Sequence, residues 1–115
     1  AAVAAALAAV RIAVAEPWRA DRARATAQRL AKGLRDQGFG VTGGTAAIVG
    51  VPVQDEWTAT SAWRALMDAG IYVNVGVFPA VPRGEAILRL STTAHHTDAD
   101  VDRCVETFAT LVRTA

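Results

Sequence analysis

The first fourteen residues, AAVAAALAAVRIAV, are apolar on nearly every side. Alanine and leucine favour helix. A helix that is apolar all round is either buried or bridges two packed bodies. Such a chain must wrap a core around its own first helix or lend that helix to another body. No basic residues precede the run and no methionine starts it, so it does not read as a signal peptide. The expectation is a fragment or a processed piece of a longer chain. No uninterrupted apolar stretch is long enough to span a bilayer.

Glu16 and Pro17 interrupt that helix, and a second helical pattern runs from Trp18 to about Gln37. Ala23, Ala27, Leu30, Ala31 and Leu34 form its apolar stripe, and Arg22, Arg24, Arg29, Lys32 and Arg35 its wet side. Gly38 and Gly40 stop it, and Gly43-Gly44 reads as a turn. Thr45 to Val53 predicts a buried strand, with Pro52 near its end or at an edge. Asp55 caps a helix whose apolar face is Ala59, Ala62, Trp63, Leu66 and Met67, ended by Gly70. Ile71 to Val77 predicts a strand, Phe78 to Gly84 a proline-stiffened loop, and Glu85 to Ser91 another strand. That last strand sets Ala86, Leu88 and Leu90 on one face and Ile87, Arg89 and Ser91 on the other. Thr97 and Asp100 form a capping-box variant before a helix carrying Val101, Cys104, Val105, Phe108, Leu111 and Val112. The order predicts an α+β fold, a two-layer sandwich with a small sheet packed against helices.

Twelve basic residues against eleven acidic ones give a net charge of +1, which argues against a nucleic-acid binder working through a general basic field. A single cysteine, Cys104, excludes an intrachain disulfide; on the apolar stripe it reads as a buried, inert thiol. His95 and His96 are adjacent, with nothing nearby at metal-ligand spacing, so no metal site is expected. Gly43-Gly44 lacks the Lys-Ser/Thr of a P-loop, and no serine stands in G-x-S-x-G. Trp18, Trp57 and Trp63 read as packing residues. Arg89 sits inside a strand between two leucines. It is either an ordinary wet-face arginine or a planar fork for an anionic partner such as a carboxylate. The loop before it is either a plain strand connection or a stiff flap beside a ligand.

The order of these segments resembles the C-terminal part of the α-oxoamine synthases, within the fold type I aminotransferase superfamily. The residues that carry the resemblance are Gly70-Ile71-Tyr72-Val73, Pro79-Ala80-Val81-Pro82-Arg83-Gly84, Leu88-Arg89-Leu90-Ser91 and Ala94-His95-His96-Thr97. Upstream, the helix ending in residues 33 to 39 and the strand-helix segment from Ile48 to Asp68 also fit. The resemblance implies a pyridoxal-phosphate-dependent acyltransferase that condenses an amino acid with an acyl-CoA or acyl-carrier-protein thioester to an α-amino ketone. It implies that residues 1–15 enter from a large cofactor-binding domain and that residues 16–115 form a C-terminal small domain. Arg89 would bind the amino-acid carboxylate, and Phe78, Pro79, Val81 and Pro82 would line the entrance near the thioester. His96 and Thr97 would set up the last helix.

The same resemblance implies a cytoplasmic homodimer, with pyridoxal phosphate held mainly by the large domain. It implies no catalytic or cofactor-binding residue in this stretch, and a fragment that is inactive alone. Two departures stand out. Ile87 occupies a position where several members carry a second arginine, which leans toward a long-chain or carrier-bound donor. Lys32, the only lysine, lies on a solvated helix face and matches no Schiff-base lysine. Two other readings remain open at this point. One is the same domain of another fold type I enzyme, such as an aminotransferase. The other is a non-catalytic ferredoxin-like ligand-binding module.

Overall fold

Pro17, with its fixed φ and missing N–H, separates two helices that meet very different surroundings. α1 (Ala2–Ala15) buries none of its residues, and Val3 and Val14 are 82% and 78% exposed. The chain therefore does not wrap a core around its first helix. α2 (Trp18–Asp36) buries Thr26, Ala27, Leu30, Ala31 and Leu34, close to the stripe expected from its periodicity. In this computed structural model, which describes residues 1–112, there follow β1 (Thr42–Gly43), β2 (Ile48–Pro52), α3 (Glu56–Asp68), β3 (Asn74–Gly76), β4 (Ile87–Ser91) and α4 (Asp98–Leu111). Residues 113–115, the end of the expected small domain, lie outside the described residues.

The strands form one antiparallel sheet in the order β1-β2-β4-β3. Val49, Val51, Leu88 and Leu90 point to its inner face and meet Leu34, Leu66, Val101 and Phe108 from α2, α3 and α4. The result is the expected α+β arrangement, a sheet layer under a helix layer. Phe108 is fully buried and stands edge-on to Phe39, with ring centroids 5.9 Å apart. Both predicted caps form. The Asp55 carboxylate accepts from the Thr58 backbone N–H at 2.8 Å. The Thr97 hydroxyl accepts from the Asp100 N–H at 3.2 Å, while the Asp100 carboxylate accepts from the Thr97 N–H at 2.7 Å. These hydrogen bonds hold both carboxyls below the usual aspartate range.

Several boundaries differ from the sequence expectation. β1 is an additional strand of two residues, and Gly43, read as part of a turn, belongs to it. β2 starts at Ile48 rather than Thr45, because residues 44–47 make the hairpin turn. The strand expected over 71–77 narrows to 74–76: the Ile71 N–H bonds back to the Leu66 carbonyl at 2.8 Å, so the chain is still leaving α3 there. β4 starts at Ile87 rather than Glu85, past the turn closed by the Glu85 N–H on the Pro82 carbonyl. Trp63 packs against the core as expected, but Trp57 is 82% exposed and Trp18 is exposed under the Arg19 guanidinium.

Candidate functional site

Directly opposed residues of an antiparallel pair project to the same face of the sheet. Arg89 pairs with Gly50 on β2 and Asn74 on β3. Ile87 pairs with Pro52 and Gly76, and Ser91 with Ile48. These residues make up the outer face, away from the three packed helices. Arg89, Ile48, Pro52 and Ser91 are exposed on it. Strand alternation alone thus places the arginine on this face, as expected. Among the described residues no carboxylate lies within ion-pair distance of the Arg89 guanidinium, and no side-chain hydrogen bond holds it. By contrast Arg29 pairs with Asp102 at 2.8 Å, Arg64 with Asp68 at 3.1 Å, and Arg103 donates to the Ala69 carbonyl at 2.8 Å. A planar fork of donors with no internal partner, at the centre of a sheet, is equipped for a bidentate anion.

Gly50 keeps the surface beside Arg89 low. A Cβ there would stand 2.5 Å from Thr42 Oγ1 and 2.7 Å from Ile87 Cδ1. The proline loop borders the same face. The Val77 carbonyl accepts from the N–H groups of Ala80 at 2.8 Å and Val81 at 3.3 Å, and the Arg83 guanidinium lies 4.0 Å from the centroid of the Phe78 ring. Phe78, Pro79 and Pro82 are exposed and Val81 is half-buried beside Gly76. The structure therefore brings Arg89 and the loop to one face, with Ile87 between them along the strand.

Other candidates fall elsewhere. His96 Nδ1 accepts from the Thr93 N–H at 3.0 Å at the far end of β4, and no metal-capable cluster exists among the described residues. Cys104 is buried among the helices, and burial pushes its thiol up to about 11, which suits an inert side chain. A cleft of about 390 Å³ lies on the helical side, where Thr26, Tyr72 and Arg103 line it; Arg89 is not part of it. Thr26 and Arg103 are already bonded to backbone carbonyls. Lys32 is exposed on α2 and paired with Asp36 at 2.5 Å. The chain's only lysine thus stands on a solvated helix face.

The sequence profile of the aminotransferase class I and II family matches residues 1–108. The chain is 44% identical to an 8-amino-7-oxononanoate synthase from Halorhodospira halophila, across 97% of this chain and 29% of that one. It is 37% identical to a serine palmitoyltransferase from Caulobacter vibrioides, across 87% of this chain and 25% of that one. A high-resolution structure of SPT with PLP superimposes with a TM-score of 0.76 and 35% identity, covering 82% of this chain and 24% of that one. The chain belongs to the aminotransferase class I and II family and is related to its α-oxoamine synthases. It spans between a quarter and a third of the length of these two relatives. Among the described residues no helix is long and apolar enough to cross a membrane.

Proposed function

We propose that this chain is the substrate-carboxylate-binding part of a pyridoxal-phosphate-dependent acyltransferase that joins an amino acid to an acyl thioester, giving an α-amino ketone. The observation that carries the reading is Arg89: a strand arginine with no ion-pair partner on an open sheet face, bordered by a proline loop. Arg89 receives the amino-acid carboxylate on its fork, which fixes the orientation of the neighbouring Cα and lowers the entropic part of the barrier. Phe78, Pro79, Val81 and Pro82 border the path of the thioester, which comes as acyl-CoA or on an acyl-carrier protein. Pyridoxal phosphate, when bound by residues outside this chain, supplies the electron sink.

In this reading residues 1–15 leave a large domain, whose surface covers the apolar sides of α1, and residues 16–115 are the small domain. In the same reading the stretch is inactive alone, because its one lysine stands on a solvated helix face and the cofactor is held by the large domain. A cytoplasmic homodimer belongs to the same reading. The test is free-thiol release by the full-length protein from acyl-CoA, with glycine, alanine and serine each supplied as the amino acid. Amino-acid-dependent thiol release supports the condensation. Transfer of the amino group to a keto acid, with no thiol released, would reassign the chain to transamination.

A further inference from the structure

Arg83, in the proline loop, is a second arginine without an internal anionic partner. Among the described residues no carboxylate lies within ion-pair distance of its guanidinium, and no side-chain hydrogen bond holds it. Of the eleven acidic residues only Glu85 lies outside the helices and their caps. Every ion pair among the described residues joins helices or their caps. The sheet and its proline loop thus carry Arg83, Arg89 and a single carboxylate. Arg83 is also held in place without losing its donors. Its guanidinium lies over the Phe78 ring, 4.0 Å from the centroid. Such a contact uses the flat face of the group and leaves its N–H edges free. The loop is tied on both sides of it: the Val77 carbonyl accepts from the Ala80 and Val81 N–H groups, and the Pro82 carbonyl accepts from the Glu85 N–H at 3.1 Å. Arg83 stands six residues before Arg89. The two are therefore at most about 22 Å apart along the chain.

We infer that Arg83, seated on Phe78, binds the phosphate at the end of the donor's pantetheine arm. The inference rests on the proposed acyl transfer. Acyl-CoA and acyl-carrier protein both join the thioester to a phosphate through that arm. The thioester carbon must meet the amino-acid Cα beside the carboxylate on Arg89, so the arm runs outward past the loop. It has about as many bonds in line as four extended residues, about 14 Å, which fits within the separation of the two arginines. A phosphate offers the oxygens that a guanidinium edge binds two at a time. The pantetheine arm itself is uncharged, so the phosphate is its one ionic anchor.

The test uses the full-length protein loaded with pyridoxal phosphate. Titration calorimetry gives Kd for CoA, 3′-dephospho-CoA, 4′-phosphopantetheine and pantetheine. Arg83→Gln is expected to weaken the three phosphate-bearing ligands about tenfold and pantetheine by less than about twofold. Arg83→Lys is expected to recover part of the loss, and Phe78→Leu to show a smaller loss of the same pattern. The amino-acid KM is read by thiol release from the best used of acetyl-, octanoyl- and dodecanoyl-CoA. In Arg83→Gln it is expected to stay within about twofold of wild type, in contrast to Arg89→Ala. An equal loss for pantetheine would overturn the inference. So would a loss confined to CoA, which would move the contact to the 3′-phosphate. Unchanged binding of all four ligands would return Arg83 to an ordinary loop arginine while leaving acyl transfer in place. No thiol release from any of the three donors with glycine, alanine or serine would remove the acyl-transfer reading and the inference together.

Discussion

Replacing Arg89 with alanine in the full-length protein is expected to raise the amino-acid KM about a hundredfold, with the cofactor still bound. A hundredfold corresponds to about 2.8 kcal/mol, within the range for losing one partner of a desolvated, hydrogen-bonded charge pair. In the proposed reading the effect falls on the amino acid, because there the guanidinium meets only that substrate. KM for the thioester is expected to move less than threefold. Arg89→Lys keeps the charge and loses the fork, so an intermediate rise of about tenfold is expected. The fold should survive both changes, since the side chain is exposed and makes no internal hydrogen bond. Steady-state kinetics with each substrate varied in turn measures the split. Unchanged amino-acid kinetics in Arg89→Ala would remove the carboxylate assignment.

The second large effect concerns stability. Phe108 is fully buried where α4 meets the sheet and contacts Phe39 edge to face at 5.9 Å. Phe108→Ala is expected to cost about 3–5 kcal/mol, from lost transfer free energy and from a cavity that cannot fully collapse. That is a large part of the margin of an ordinary domain. Denaturant unfolding followed by far-ultraviolet circular dichroism and by the fluorescence of half-buried Trp63 measures it. Phe108→Leu should cost far less. A loss below about 1 kcal/mol in Phe108→Ala would mean that the helix layer can repack without its central ring.

Parts of this arrangement are legible in the residues because they depend on local rules. The Thr97–Asp100 box and the spacing of Val101, Cys104 and Phe108 mark α4, since caps and helical periodicity need only neighbours in sequence. The outward projection of Arg89 follows from alternation within β4. Other features depend on register. β1 is only two residues long and carries no periodic signal, so pairing with β2 creates it. The packing of Ile87 beside Gly50 requires knowing that Gly76 stands opposite the isoleucine and Gly50 diagonally across. The one hint in the sequence is a glycine inside an apolar strand, which signals a close approach without saying to what. Trp57 misled because an aromatic near a helix start is usually packed, and here it faces solvent. The bare apolar sides of α1 were readable as a demand for a partner, and this chain does not meet that demand.

The acyltransferase reading stands on a pyridoxal-phosphate enzyme whose cofactor anchor lies outside these residues. The most direct measurement is the absorption spectrum of the native full-length protein before and after borohydride. The reading predicts a visible cofactor band that borohydride bleaches and that a cognate amino acid shifts. A colourless protein that stays colourless after pyridoxal phosphate is added would contradict it, and Arg89 would then be an ordinary solvent-facing strand arginine.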